Sequence, residues 1–219
     1  MKYYYNPAIH NIGNIGLGGK IHAQVAPLFT KFIDNKRYNG RNIRKEIIDN
    51  TKDYYKNPLI FFDLCSGVGC STDKFGLDTS MEMILKSRSL FPKKRIFFGN
   101  AENYKPEFDV DIVTCMFSFH EMPVKAQENV IENSLDMANK EVKILDISPT
   151  YKASKIMLSG EPYLNNYLET IEDTMNKYNF KKLEYIENHA TLWTKKRDMF
   201  FGFCHFSKNE EIKIFEMSY

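Results

Sequence analysis

Leu59-Ile60-Phe61-Phe62-Asp63-Leu64-Cys65-Ser66-Gly67-Val68-Gly69 is the stretch on which the fold turns. An unbroken apolar run ending in a carboxylate fits a strand buried on both faces of a parallel sheet. The glycines after it let the backbone of a strand-to-helix turn approach a ligand closely. Amides at such a turn favour carboxylates and phosphates. A Gly-x-Gly alone is weak evidence, because many tight turns contain one, so its surroundings decide what it means.

Further strand-like runs follow at Phe75–Asp78, Arg95–Gly99, Asp111–Phe117 and Val142–Ile147, with helical patterns over 80–90 and 124–139 between them. This alternation predicts an α/β fold: a Rossmann-like, mostly parallel central sheet with flanking helices. Lys182–Glu187, Thr191–Thr194, Met199–Phe206 and Glu211–Phe215 predict antiparallel C-terminal strands, whose edge would suit a dimer contact. Residues 1–57 read as an N-terminal helical extension. It comprises a glycine-rich loop at 11–19, a helix through Ile21, Val25, Leu28, Phe29, Phe32 and Ile33 that kinks or begins at Pro27, and a polar helix over 41–55. Residues 58–219 form the α/β domain. They include an insertion at 149–178 whose helix carries Leu164, Leu168, Ile171 and Met175 on one stripe, and the whole reads as a single globular unit.

Composition narrows the function. Of 219 residues 43 % are apolar, enough to fold without staples, and a net charge of +2 does not predict a nucleic-acid binder. Lys93-Lys94-Arg95 and Lys195-Lys196-Arg197 read as solvated turns. Cys65, Cys70, Cys115 and Cys204 lack metal-ligand spacing and read as reduced thiols, and no metal site is expected. No secretory h-region follows Met1, and no apolar run spans a bilayer, so a soluble, cytoplasmic protein without a membrane partner is expected. His10 and His22 read as structural or surface residues.

The strand ends carry the chemistry. Asp78 closes the second strand, where a carboxylate accepts the hydroxyls of a ribose. Asp78, Thr79 or Ser80 would also cap the next helix. Asn100-Ala101-Glu102 follows the third strand, where a side chain and an amide can read an adenine. Phe117-Ser118-Phe119-His120-Glu121-Met122-Pro123 follows the fourth.

With these residues in this order, Leu59 to Ser148 resembles the class I S-adenosylmethionine-dependent methyltransferases, in particular the branch with the ubiquinone- and menaquinone-type and small-molecule enzymes. The resemblance implies S-adenosylmethionine as cofactor, held by Asp63, Cys65, Gly67, Gly69, Asp78, Thr79, Asn100, Ala101, Glu102 and Phe117. It implies a small-molecule acceptor, bound by Tyr151, Glu161 and Tyr163, with Tyr167 a further lining residue. His120, as a neutral imidazole near its ordinary pKa, is the expected general base and Glu121 the reserve. Phe117 and Phe119 are placed to offer aromatic faces to the sulfonium.

One spacing departs from the family. Dinucleotide-binding relatives place the second-strand acid about 20 residues on, yet here Gly67 and Asp78 are eleven apart (78 − 67), so the first crossover helix is truncated or missing. Two rivals follow. A catalytically inactive, methyltransferase-like binding or regulatory protein would tolerate that loss. A nicotinamide-dependent oxidoreductase would want a glycine where Thr72 stands.

Overall fold

The structure is a computed structural model and describes residues 4–5 and 13–197. The strands expected at 199–206 and 211–215, together with His10 and Cys204, lie outside the described residues. Among the described residues, seven strands form one sheet: Phe61–Leu64 (β1), Phe75–Asp78 (β2), Arg95–Phe98 (β3), Val110–Met116 (β4), Ala138–Ile147 (β5), Lys181–Ile186 (β6) and Ala190–Lys196 (β7). Their order is β3-β2-β1-β4-β5-β7-β6. β1 to β5 pair in parallel, and β7 runs antiparallel to both β5 and β6.

Strand side chains alternate between the two faces. Phe62, Leu64, Val113, Cys115, Ile144 and Trp193 pack with the helices Val124–Met137 (α4) and Leu164–Lys177 (α6). Phe61, Ile112, Met116, Leu145 and Leu192 pack with Ile43, Ile47 and Ile48 of Ile43–Tyr55 (α2). The helix expected at 41–55 is therefore amphipathic, and it opens on Asn42, whose side chain accepts from the Lys45 amide. β5 begins four residues earlier than its apolar core, at Ala138 (142 − 138 = 4), because β4 pairs with Ala138 and Glu141 across an irregularity and β7 pairs with Glu141 on the other side. Lys195 and Lys196 sit in β7 rather than in a solvated turn. Their ammonium groups donate to the Tyr178 carbonyl and the Tyr54 hydroxyl, each at 2.6 Å.

The N-terminal reading is corrected in two places. Gly16, Gly18 and Gly19 are not loop; they open the helix Gly16–Arg37 (α1), which runs through Pro27 without ending or restarting. A side chain on Gly19 would overlap the Asn14 carbonyl, so glycine serves close packing there. The Gly16 amide donates to Glu82 at 2.8 Å, which satisfies one orphan helix donor. Pro27 forfeits one backbone bond, and packing of Ala23 against Val68 and Met83 holds the turn before it.

Between β1 and β2 the chain returns through residues 65–74 with no helix at all. Parallel crossovers normally use a dozen or more residues. Buried Asp63 holds this short one, accepting from the hydroxyls of Ser71 (2.7 Å), Thr72 (2.8 Å) and Thr114 (2.8 Å). Its charge is expensive to bury, so burial raises its pKa against those three donors.

Candidate functional site

The carboxyl ends of β1 to β5 converge on one edge, where open α/β sheets bind ligands. The turn after β1 holds Cys65 (φ 54°), Gly67 (φ 53°) and Gly69 (φ 84°) in left-handed backbone, the conformation glycine adopts most readily. The Gly67 amide donates to Asp78 Oδ2 at 2.7 Å and the Ser80 amide to Oδ1 at 2.8 Å. Burial lifts the Asp78 carboxyl to about 6 against those two bonds. Ser80, not Asp78, caps the helix Met81–Leu90 (α3), its Oγ accepting from the Met83 amide at 3.2 Å. Asp78 is thus kept for the turn, where its carboxylate accepts from backbone amides. Thr79, beside it, donates its amide to the same carboxylate.

Asn100 Oδ1 accepts from the Glu102 amide at 3.0 Å, and Ala101 is buried against the core. Glu102 is held by Tyr4 (2.9 Å) and Asn129 (2.6 Å), which fixes the turn after β3. Lys94, read from the sequence as solvated, reaches instead from the start of β3 to the Gly69 carbonyl at 2.9 Å. Asp63 supports the turn from below and does not face its open side.

After β4 the two phenylalanines part. Phe117 takes φ 58°, and its ring lies under the Arg44 guanidinium at 4.4 Å and stacks on Tyr38 at 6.5 Å. One of its faces therefore already holds a cation. Phe119 is core, 0 % exposed, which removes it as a sulfonium contact. His120 stands in the 3-10 turn Phe119–Glu121, pinned from two sides. Gln127 donates to the Phe119 and Met122 carbonyls (3.0 and 2.9 Å), and Asp146 accepts from the Phe119 amide at 2.7 Å. Asp146 also holds His120 Nδ1 at 2.6 Å.

Burial by itself would lower the His120 pKa, but the Asp146 charge and hydrogen bond, then Glu121 and Glu161, lift it to about 9. The direction of that shift favours the imidazolium, where the sequence led to an expectation of a neutral base. One donor atom from each of His120, Glu121 and Glu161 lies within 4.8 Å of the others, with His120 and Glu161 buried. The carboxylates close around a cation.

The acceptor-side residues sort in the same way. Glu161 follows the short helix Lys155–Gly160 (α5), and Tyr163 meets Tyr5 edge-on at 6.0 Å. Tyr151 meets His189 edge-on at 5.1 Å, at the β6–β7 turn. Tyr167 is not a lining residue: it is fully buried and donates to the Ile147 carbonyl at 2.6 Å. Among the described residues, Cys65, Cys70 and Cys115 are free thiols. A recess lined by Leu135, Ala138, Glu141, Val142 and Lys195 opens at the far end of β5, away from this edge.

Arg44, Lys94 and Asp146 are site residues that sequence reasoning did not place. Asp146 ends an apolar strand as Asp63 and Asp78 do, and that repeated signature was legible. Arg44 and Lys94 carried no local signal, since their targets are distant in sequence.

No family model matches the chain, and no curated protein matches it. Solved structures do. The PH0226 protein of Pyrococcus horikoshii is 15 % identical at a TM-score of 0.59, over 81 % of this chain and 99 % of that one. An S-adenosylmethionine-dependent methyltransferase of Clostridium acetobutylicum is 10 % identical at 0.55, over 78 % and 98 %. Magnesium protoporphyrin IX methyltransferase of Synechocystis is 11 % identical at 0.52, over 71 % and 82 %. At these identities the likeness is one of fold: the chain has the Rossmann-like fold of the class I methyltransferases.

Proposed function

We propose that this protein binds S-adenosylmethionine and transfers its methyl group to a small-molecule acceptor. One observation carries the reading: a left-handed glycine turn and the Asp78 carboxylate meet at 2.7 Å, on the sheet edge where the His120 cluster also lies. In this reading the open side of the glycine turn faces the amino-acid part of the cofactor, with the Gly67 amide committed to Asp78 and the Gly69 amide to the Ser66 carbonyl. Asp78 accepts the ribose hydroxyls with Thr79 beside it, and Asn100, Ala101 and Glu102 border the adenine. Phe117 closes the side next to β4.

The cofactor supplies an already activated methyl group, so the protein's task is alignment of acceptor, methyl and sulfur. His120, a cation fixed by Asp146, donates a hydrogen bond to the acceptor and stabilises its anionic form. Glu121, half-buried beside it, takes the acceptor's proton. Tyr151, Glu161 and Tyr163 orient the acceptor.

Titration calorimetry with S-adenosylmethionine and S-adenosylhomocysteine, with NADH as control, tests this. Both sulfur ligands should bind and NADH should not. Asp78→Asn should weaken binding on the order of tenfold or more, the scale of a charged hydrogen bond. The helix-less crossover favours a second reading, a binding protein without turnover. Failure of either ligand to bind the folded chain would leave that reading in possession of the site.

A further inference from the structure

α1 lies over the glycine turn with an arrangement the proposed activity does not use. Its inner side packs Ala23 against Val68 of the turn and Met83 of α3. Its outer side carries Leu17, Ile21, Leu28, Phe29 and Phe32, each between 49 % and 76 % exposed. At 3.6 residues per turn these five fall within about 120° of arc. Contiguous large apolar side chains on one exposed face mark an interaction surface, where scattered ones would not.

Charge selects among the occupants. Lys20, Lys31, Lys36 and Arg37 are exposed on the same helix. Its one carboxylate, Asp34, is buried and paired with Arg44 at 2.9 Å. The outer face is therefore apolar at its centre, basic at its rim and free of acidic groups. A second copy laid antiparallel on the stripe would face Lys20 and Lys31 with the same lysines, because a two-fold contact is self-complementary. Nothing acidic on the helix offsets that repulsion. An anionic lipid surface offers what the face lacks, acyl chains for the stripe and phosphates for the rim. No helix among the described residues is long and apolar enough to cross a membrane, so α1 would lie in the interface.

We infer that α1 is a peripheral membrane-docking helix that seats the glycine-turn side of the protein on an anionic bilayer surface. This stands apart from the methyltransferase reading and needs no cofactor. Co-sedimentation of the full chain with phosphatidylcholine vesicles, with and without phosphatidylglycerol, tests it. The chain should partition onto the anionic vesicles, less onto neutral ones, and come off as salt rises. Leu28→Glu with Phe32→Glu should cut partitioning on the order of tenfold or more while leaving the melting curve in place, since both side chains are exposed. Lys20→Glu with Lys31→Glu should lose only the anionic preference. Absence of vesicle binding, or equal binding by the Leu28/Phe32 variant, overturns the inference. So does a dimer in light scattering that this variant converts to monomer, which would give the stripe to a second copy.

Discussion

Between β4 and β5 the chain crosses over through residues 117–137, with the fourteen residues of α4 packed on the sheet. Between β1 and β2 it crosses through 65–74 with none. The β4–β5 crossover is held by apolar contact: Ala126, Val130, Ile131 and Met137 join the large core cluster with Trp193. The β1–β2 crossover is held by one buried carboxylate with three hydroxyl donors, and by Lys94 on the Gly69 carbonyl. The two crossovers therefore differ in their anchors, one held chiefly by area removed from water and the other by a satisfied polar network, on a sheet that is apolar on both sides of β1. The glycine turn lies in the crossover with the polar anchor. The amides of Ser66, Gly67, Gly69 and Thr72 are all bonded within the protein, and the Asp63 clamp beneath the loop substitutes for the missing crossover helix.

The widest test sets the two anchors against each other. Trp193→Ala should cost roughly 3–5 kcal/mol in denaturant unfolding and leave affinity for S-adenosylhomocysteine unchanged. Asp63→Ala strands three hydroxyls and should cost roughly 3 kcal/mol, and it should also weaken the ligand, because the turn loses its floor. If Asp63→Ala unfolds like the wild type, the clamp does not hold the crossover and the comparison collapses.

Titration sharpens the contrast. His120 has its pKa raised to about 9 in the folded chain, against about 6.5 in an unfolded one. A raised pKa means the stability it contributes is full below pH 6.5 and is lost as pH rises through 9. The difference corresponds to roughly 3 kcal/mol. Asp78, raised to about 6 from 3.8, acts with the same sign in a lower window. Stability measured from pH 6.5 to 9.5 should fall, and His120→Asn should flatten that slope while leaving any change between pH 4 and 6 in place. A flat wild-type profile above pH 6.5 would remove the imidazolium from the site.

The smallest effect lies within the turn. Gly69 has φ 84°, and a Cβ there would stand 2.5 Å from Ser87 Oγ, whereas Gly67 has φ 53° with open space around it. Gly69→Ala should cost roughly 2 kcal/mol and Gly67→Ala about 1, the left-handed cost alone. Equal losses in thermal unfolding would mean that backbone strain, not the approach to α3, sets the demand for glycine.

Much of the fold was legible because the apolar runs at 59–64, 111–117 and 142–147 are nearly continuous, as strands covered on both faces must be. The shortened crossover was legible by counting from Gly67 to Asp78. The amphipathic run of α1 was legible as a helix, but its direction was not. Periodicity finds a stripe and does not say whether core or solvent receives it. The solvated-turn reading of Lys94 and Lys195 failed for a related reason, since each ammonium finds a backbone carbonyl 25 and 17 residues away in sequence. Tyr167 and Phe119, placed in the site by their neighbours in sequence, are core because their side chains point to the α4–α6 side of the sheet.

The sequence by itself determined the strand run, the glycine turn and the acids that end β1, β2 and β5, since these follow from local pattern and short spacing. Only the tertiary structure decided what those acids do: Asp63 clamps a loop, Asp78 holds the turn, and Asp146 charges a histidine. A carboxylate's role depends on which donors burial brings within hydrogen-bond reach, and burial is a property of the whole packed chain.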